Sequence, residues 1–522
     1  MGKEVRIQVN PSNISSEGYA YGILKCLDKE KEQRDVERLF SLEELKNRAE
    51  KIGRTLVSQY SGNKLLESFA DVYSLILQDP LIWDEFEKRA KQKDGKLSKE
   101  DIFEVRDFVI SLLVDSGNPI IRERQDDVRN VFNMLISGNT VSEVSSGDIV
   151  YLDEVLPIDM INFYRAGVGA VLSRRGSPTS HASILAQALE IPYIFNVPPL
   201  DDYCGMSVFV DAVRGEIVIN PNKELVLGII GTYEEERREL EKYCRIRFNH
   251  VKIMANIGFL FEVETAKKKG ADGVGLFRTE FLFIGRSEPP SEEEQFLIYK
   301  TVLEKFYPDK VIIRLLDVGG DKGIPYLELP EERNPFLGLR GIRVLLNNRD
   351  LLETQLRALL RASVYGNLGI LIPMVSKPKE VIQVKRLAEH LAHELNIERI
   401  PQIGIMIEVP SVVFSFEKFI NHIDFASIGT NDLTQYIFAA DRMNPLVSEY
   451  YDDEDDAILN AIRIAIRLMK NARKPIGVCG ELAGKRHMVK TLIKIGVSSL
   501  SVSPSKIPWI KREVYKVIKN KT

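Results

Sequence analysis

Cysteine is scarce in this chain. Four residues, Cys26, Cys204, Cys244 and Cys479, are scattered over 522 positions, with no CxxC pair and no metal-ligand spacing. That argues against a structural zinc and for reduced thiols rather than disulfides. Long apolar runs are missing as well. No stretch is long enough to span a bilayer, and the opening Met1-Gly-Lys-Glu-Val-Arg-Ile-Gln-Val-Asn lacks the apolar core of a secretory signal. The expected location is cytoplasmic, with no membrane partner. An excess of charge is also absent: 71 basic against 75 acidic residues leave a net charge of -4, so no overall field draws in nucleic acid.

What is present is a globular composition, 44% hydrophobic and 28% charged, at a length that calls for several domains. Residues 4–9 and 19–26 alternate apolar and polar side chains and predict two short strands. From about 35 to 135 the pattern turns helical, as in Leu42-Glu-Glu-Leu-Lys-Asn-Arg-Ala-Glu-Lys-Ile, with breaks near Gln78-Asp-Pro80 and Gly117-Asn-Pro119. No strand-like alternation of comparable strength occurs there, so about four helices are expected. Strands resume at Asp148, Gly169, Pro192, Ser207 and Glu216. Residues 1–34 and 136–222 are therefore expected to form one α/β domain, with 35–135 as an inserted helical subdomain. The charged helical run 223–250 suits an exposed linker. Over 251–522 eight short apolar runs, beginning at Lys252, Gly273, Val311, Gly369, Gly404, Phe425, Ile476 and Ser499, alternate with helical stretches. That is the signature of a (β/α)8 barrel, the TIM-barrel architecture, whose active site lies at the C-terminal ends of its strands.

Two places concentrate chemistry. In Gly176-Ser-Pro-Thr-Ser-His181-Ala-Ser-Ile-Leu a buried strand breaks at Gly176 and Pro178, and a helix follows with Ser180 as its expected N-cap. His181 then sits in the first turn beside unpartnered N–H groups that attract anions. It is either a nucleophile whose phosphorylated or acylated form those donors hold, or a polar residue at a helix start. The second place is the set of barrel strand ends. They carry Asn256, Arg278-Thr279-Glu280, Arg314 with Asp317, Glu408, Asn431-Asp432 and Cys479-Gly480-Glu481. Arg278 and Arg314, with Arg340 and Arg442 from loops, supply planar forks for phosphate or carboxylate oxygens. Glu408 and Asp432 lie on adjacent strands, where they can share a divalent cation. Cys479 faces the same mouth and can serve as acid or base. Singly, each is as well explained by a loop salt bridge, or for Cys479 by a small buried hydrophobe. Together on one barrel face they point to a site.

The segments Pro178-Thr-Ser-His-Ala-Ser-Ile-Leu-Ala, Gly273-Val-Gly-Leu-Phe-Arg-Thr-Glu-Phe-Leu, Leu316-Asp-Val-Gly-Gly-Asp-Lys, Asn334-Pro-Phe-Leu-Gly-Leu-Arg-Gly-Ile-Arg, Ser427-Ile-Gly-Thr-Asn-Asp-Leu-Thr-Gln-Tyr and Cys479-Gly-Glu-Leu-Ala-Gly resemble the enzyme I family of the bacterial sugar phosphotransferase system. The resemblance implies that phosphoenolpyruvate and Mg2+ bind at the barrel mouth. The phosphoryl group would pass to His181 on a swivelling domain, and then to the histidine phosphocarrier protein HPr docked on the helical subdomain. It further implies that Glu408 and Asp432 ligate Mg2+ and that Arg278, Arg314 and Arg340 hold the phosphoryl group. Asn431 and Arg442 would hold the other end of the substrate, Cys479 would protonate the methylene carbon, and the barrel would form a homodimer. The chain departs from the family at Ser177 and Pro178, where glycine and a variable residue usually stand, and it ends sooner after the last barrel strand. Related dikinases and synthases need a nucleotide-binding domain ahead of the histidine, and no GxxxxGK[ST] loop occurs here. An HPr-binding regulatory protein with weak or no phosphotransfer remains the alternative use of such a chain.

Overall fold

The computed structural model describes residues 4–10, 13–27, 39–60, 76–115, 128, 131–132, 134–136, 144–155, 157–176, 181–283, 288–319, 326–327, 329–330, 332–442, 444 and 446–519. For 55–60, 112–115, 157–158, 181, 184, 188, 261 and 448 only the backbone is described. The chain divides into two compact units, Met1–Arg238 and Glu239–Thr522. No described helix is long and apolar enough to cross a membrane.

The first unit holds strands β1 (Val5–Gln8), β2 (Ile14–Ser16), β3 (Tyr19–Cys26), β4 (Phe40–Ser41), β5 (Lys96–Leu97), β6 (Ile149–Glu154), β7 (Ala170–Arg175), β8 (Tyr193–Ile194), β9 (Ser207–Asp211) and β10 (Glu216–Ile219). Eight of them form one sheet in the order β1-β10-β9-β3-β6-β7-β8-β2. Its centre, β3-β6-β7-β8, is parallel. Leu24, Ile149, Tyr151, Ala170, Leu172 and Ile194 fill the core beside these strands. The short strand β2, not anticipated from the pattern, pairs with β8.

Between β3 and β6 the chain is helical, with described helices Leu42–Tyr60, Pro80–Gln92 and Lys99–Asp115. The second shows how the sequence sets its limits. Asp79 caps it by accepting from the Leu81 N–H, and Pro80, which needs no partner for an N–H, takes the first position. Ile82, Phe86 and Ala90 at fourfold spacing are its buried face. The break expected at Gly117-Asn-Pro119 lies outside the described residues. The ribbon of β4 and β5 is the one piece of sheet described in this region. At two residues each, these strands are too short to leave an alternating signature.

One sequence expectation is overturned: Cys26 and Cys204 are joined in a disulfide, with Cα atoms 5.6 Å apart. The cause is topological. The Leu24 N–H donates to the Met206 carbonyl and the Gly205 N–H to the Leu24 carbonyl, which lays the 201–206 turn beside the end of β3. A sequence separation of 178 residues conceals that contact.

The helix Lys223–Cys244 contains the division between the units. Beyond it, β11 (Lys252–Ile257), β12 (Gly273–Phe277), β13 (Lys310–Arg314), β14 (Asn367–Ile372), β15 (Gln402–Ile407), β16 (Phe425–Ile428), β17 (Ile476–Val478) and β18 (Ser499–Val502) close into an eight-stranded barrel. Every neighbouring pair is parallel, and β18 returns to β11 with Ser499 opposite Lys252. Leu276, Leu371, Met406 and Phe425 form a small cluster, while their neighbours Phe277, Ile370, Ile372, Ile405 and Ile407 join the larger core. That period-two alternation places the first set inside the barrel and the second under the helices.

The last helix, Ile507–Lys519, ties the barrel to the end of the connector. Lys511 has no exposed side-chain surface, and its ammonium donates to the Ile246 carbonyl at 2.6 Å and lies 3.4 Å from Asp272 Oδ1. Asp272 Oδ2 in turn accepts from the Ile253 N–H at the start of the barrel. Removing the cation would leave a buried carboxylate whose nearest other guanidinium, on Arg247, is 3.8 Å away. We expect Lys511→Met to destabilise the barrel by about 3 kcal/mol. Trp83 and Trp509 are the two tryptophans, one in each unit, so urea unfolding of Trp83→Phe followed by fluorescence reports on the barrel alone. An unshifted midpoint would refute this anchoring role.

Candidate active site

The C-terminal ends of successive barrel strands bring charged groups together, because each strand delivers its last residues to the same rim. Arg314 closes β13, and Glu280 opens a short turn after β12. Arg314 Nη2 donates to Glu280 Oε1 at 2.6 Å, and its Nη1 lies 3.3 Å from Asp317 Oδ2. Arg340 comes from the loop bridged to Gly319. Its Nε and Nη2 donate to the two oxygens of Asp317 at 3.1 Å each. Its Nη1 and Nη2 donate to the two oxygens of Asp432 at 3.0 and 3.1 Å. Gly341 follows with φ +57, where an added Cβ would meet the Met374 side chain at 2.8 Å. Glycine at that position lets the loop turn without displacing its neighbours.

Glu408 follows β15. Its Oε1 accepts from the Met374 N–H at 2.5 Å, and its Oε2 is buried with no hydrogen-bond partner. Burial, with Asp432 and Asp317 close by, pushes the Glu408 carboxyl up to about 8 in spite of Arg314 and Arg340. Burial also acts to raise Asp432, but Arg340 and Arg442 outweigh it and hold that carboxyl below its ordinary value. Behind the cluster, Thr279 Oγ1 donates to the Arg314 carbonyl and Gln355 accepts from the Leu316 N–H, fixing the end of β13. Among the described residues, no three histidine, cysteine or acidic side chains converge as a ready cation site.

The remaining strand-end residues surround this centre. Asn431 Oδ1 accepts from the Glu481 N–H at 2.9 Å, linking the loops after β16 and β17. Cys479 is 3% exposed; its Sγ donates to the Ile428 carbonyl at 3.5 Å, and burial raises its pKa. Asn256 Nδ2 donates to the carbonyls of Cys479 and Ser501, leaving Oδ1 buried without a partner. Arg278 follows β12 with an exposed side chain, and its charge acts on Cys479. The structure thus joins Arg340 to Asp432 directly and Arg314 to Arg340 through Asp317, with Glu408 and Arg442 within electrostatic reach. Arg278 stands apart from the ion pairs. Glu280 and Asp317 are the residues whose part was not read from sequence. The signal available was that two buried arginines require buried counter-ions.

In the first unit a helix, His181–Leu189, does begin at the histidine. Ala182, Leu185 and Ala186 face its core. The loop 177–180, with the expected cap Ser180, and the His181 side chain lie outside the described residues. The strand leading to that loop is fixed from beneath. Ser173 Oγ donates to the Arg175 carbonyl and lies 2.9 Å from the buried Tyr193 hydroxyl, and the Gly176 N–H donates to Asn196 Oδ1.

Residues 234–518 match the family described as "PEP-utilising enzyme, PEP-binding domain", and residues 144–215 match "PEP-utilising enzyme, mobile domain". Curated relatives extend the likeness along the chain. A phosphoenolpyruvate-protein phosphotransferase of Bacillus sp. (strain S) is 36% identical over 479 residues, covering 86% of this chain and 82% of the relative. That of Geobacillus stearothermophilus is 35% identical over 491 residues, covering 89% and 84%. An archaeal one, from Haloferax volcanii, is 38% identical over 410 residues, covering 75% and 72%. With both family matches in place, and with relatives at this identity covered over more than two thirds of their length, the chain belongs to the phosphoenolpyruvate-protein phosphotransferases, the enzyme I family, and catalyses phosphotransfer from phosphoenolpyruvate.

Proposed function

We propose that phosphoenolpyruvate is bound at the barrel mouth with Mg2+, that His181 takes its phosphoryl group, and that the histidine phosphocarrier protein HPr is the acceptor. The observation that carries the binding site is its charge balance. Four buried carboxylates, Glu280, Asp317, Glu408 and Asp432, stand against two buried guanidiniums, Arg314 and Arg340. A divalent cation makes up that difference once Glu408, whose carboxyl is pushed up to about 8 before the ion arrives, gives up its proton, and the unpartnered Glu408 Oε2 suits a ligand to it. Mg2+ is usually held by few carboxylates beside phosphate. Glu408 and Asp432 would hold it, and once bound it neutralises charge on the phosphoryl oxygens.

Arg278, Arg314 and Arg340 then grip those oxygens, and Asn431 with Arg442 holds the carboxylate end of the substrate. His181 attacks phosphorus. A P–N bond forms as the P–O bond to the enolate breaks, so the protein contributes positioning and charge stabilisation. The enolate takes a proton at its methylene carbon and leaves as pyruvate. Burial keeps the Cys479 thiol protonated, which supports Cys479 as the donor. The phosphoryl group next moves from His181 to a histidine of HPr. His181 and the arginine cluster belong to different units, so the reading makes the helix Lys223–Cys244 a hinge. It assigns HPr to the inserted helical region, where Leu81 and Phe108 are exposed. It also takes the working form to be a cytoplasmic homodimer assembled through the barrel.

Intact mass after incubation with phosphoenolpyruvate and Mg2+ tests the first half-reaction. An acid-labile gain of one phosphoryl group is expected for the wild type and not for His181→Ala or in EDTA. No gain in the wild type would sink the assignment. Cys479→Ala is expected to slow pyruvate formation by about 10²- to 10⁴-fold and, with phosphoenolpyruvate carrying tritium at one defined methylene position and D2O as solvent, to abolish the chirality of the resulting CHDT methyl group. Retention of that stereochemistry would remove Cys479 from the proton-transfer step.

A further inference from the structure

Glu408 and Asp432 differ in what they can offer a cation. Glu408 Oε2 is buried and unpartnered, whereas both oxygens of Asp432 are taken by the Arg340 fork at 3.0 and 3.1 Å. The same fork is held from the other side by Asp317, at 3.1 Å to each oxygen. Arg340 is 2% exposed, so water cannot replace either partner.

Resting on the assignment of Glu408 and Asp432 as cation ligands, we propose that Arg340 is a resident counter-ion that blocks Asp432. It remains until a phosphoryl-bearing ligand draws part of its fork away. Asp317 is the positioning residue that retains Arg340 during the exchange. A cation arriving alone would gain Asp432 but strand the Nη1 side of a buried guanidinium without an acceptor. A phosphoryl oxygen supplies that acceptor, and Asp317 continues to hold Nε. Cation and substrate therefore enter as a pair, and the empty enzyme has weak affinity for the ion. Apparent affinity falls by the fraction of molecules in which Asp432 is open. Direct bonding between ion and substrate would also couple their binding, but it would leave the affinity for the ion alone untouched by Arg340.

The test is Mn2+ binding without substrate, followed by loss of the free-ion electron paramagnetic resonance signal. The proteins are wild type, Arg340→Gln and Arg314→Gln, each checked for folding by circular dichroism. Arg340→Gln is expected to bind Mn2+ at least about tenfold more tightly than wild type. Arg314→Gln removes an equal charge from the same cluster without touching Asp432; since that charge also acts on Glu408, it should tighten binding somewhat, but by clearly less than Arg340→Gln does. Equal gains in both variants, or no gain in Arg340→Gln, would overturn the proposal. Should Arg340→Gln fail to fold, Arg340→Lys replaces it. Its single ammonium cannot cover both oxygens of Asp432 while reaching Asp317, so a gain is again expected and no gain is fatal. A His181→Ala arm, which cannot consume phosphoenolpyruvate, measures Mn2+ binding with substrate present. No binding there defeats the functional reading itself, whereas normal binding there with no gain in the Arg340 variants defeats only the blocking role.

Discussion

A guanidinium shared between two buried carboxylates is the constraint on which the barrel mouth depends. Arg340 is almost wholly buried, and a charge in that position persists only if its donors are matched by acceptors. Asp317 and Asp432, 23 and 92 residues away in sequence, supply them. Meeting that demand fixes the loops after two different strands against each other. It also fixes the turn at Gly341, where a side chain would collide with Met374. Arg314, held by Glu280 and Asp317, extends the same network across to β12. The rim is organised by charge pairing, while the strands beneath it are organised by alternating apolar side chains.

The two units solve different problems. The first has a mixed sheet whose parallel centre presents β7 and the helix starting at His181, and Tyr193, Ser173 and Asn196 steady the approach to that helix. The second is a closed barrel with an extensive apolar core, and its buried arginines and their counter-ions gather at the strand ends. A stepwise phosphotransfer suits that division. Under the proposed mechanism the substrate site has to exclude water and hold several charges in fixed positions, whereas the carrier histidine has to leave it for another acceptor.

Much of this was legible in the sequence, for reasons that differ by region. The barrel announced itself because parallel strands buried on both faces read as repeated short apolar runs, and the charged residues at their ends fall at one rim by topology alone. Arg314, Arg340 and Asp432 were therefore identifiable as a group. Their counter-ions Glu280 and Asp317 carried no such label, since which carboxylate meets which guanidinium is decided by loop geometry. The same limitation hid the Cys26–Cys204 disulfide, which depends on a turn folding back beside β3. β2, β4 and β5, of two or three residues each and outside any apolar run, left no pattern to read, whereas β8 and β17, equally short, were marked by the apolar runs that contain them. The length of a regular pattern set what could be read, and contacts made by irregular backbone stayed out of reach.

The charge balance also bears on why a cysteine stands at the end of β17. Under the proposed mechanism the group there must carry a proton while waiting and give it to carbon when the enolate forms. A carboxyl group would be the fifth in a buried site that already sets four against two guanidiniums, where crowding has pushed Glu408 up to about 8. A lysine would be captured by those same carboxylates, its proton stabilised by pairing rather than made available. A thiol avoids both outcomes. It is neutral at rest, small enough to pack with Leu276, Leu371, Met406 and Phe425, and kept in its protonated form by burial. Departure of its proton becomes less costly when the arginine charges nearby are present, since Arg314 and Arg278 both favour the thiolate. The arrangement that holds an anionic substrate is thus the one that lets a neutral acid act beside it.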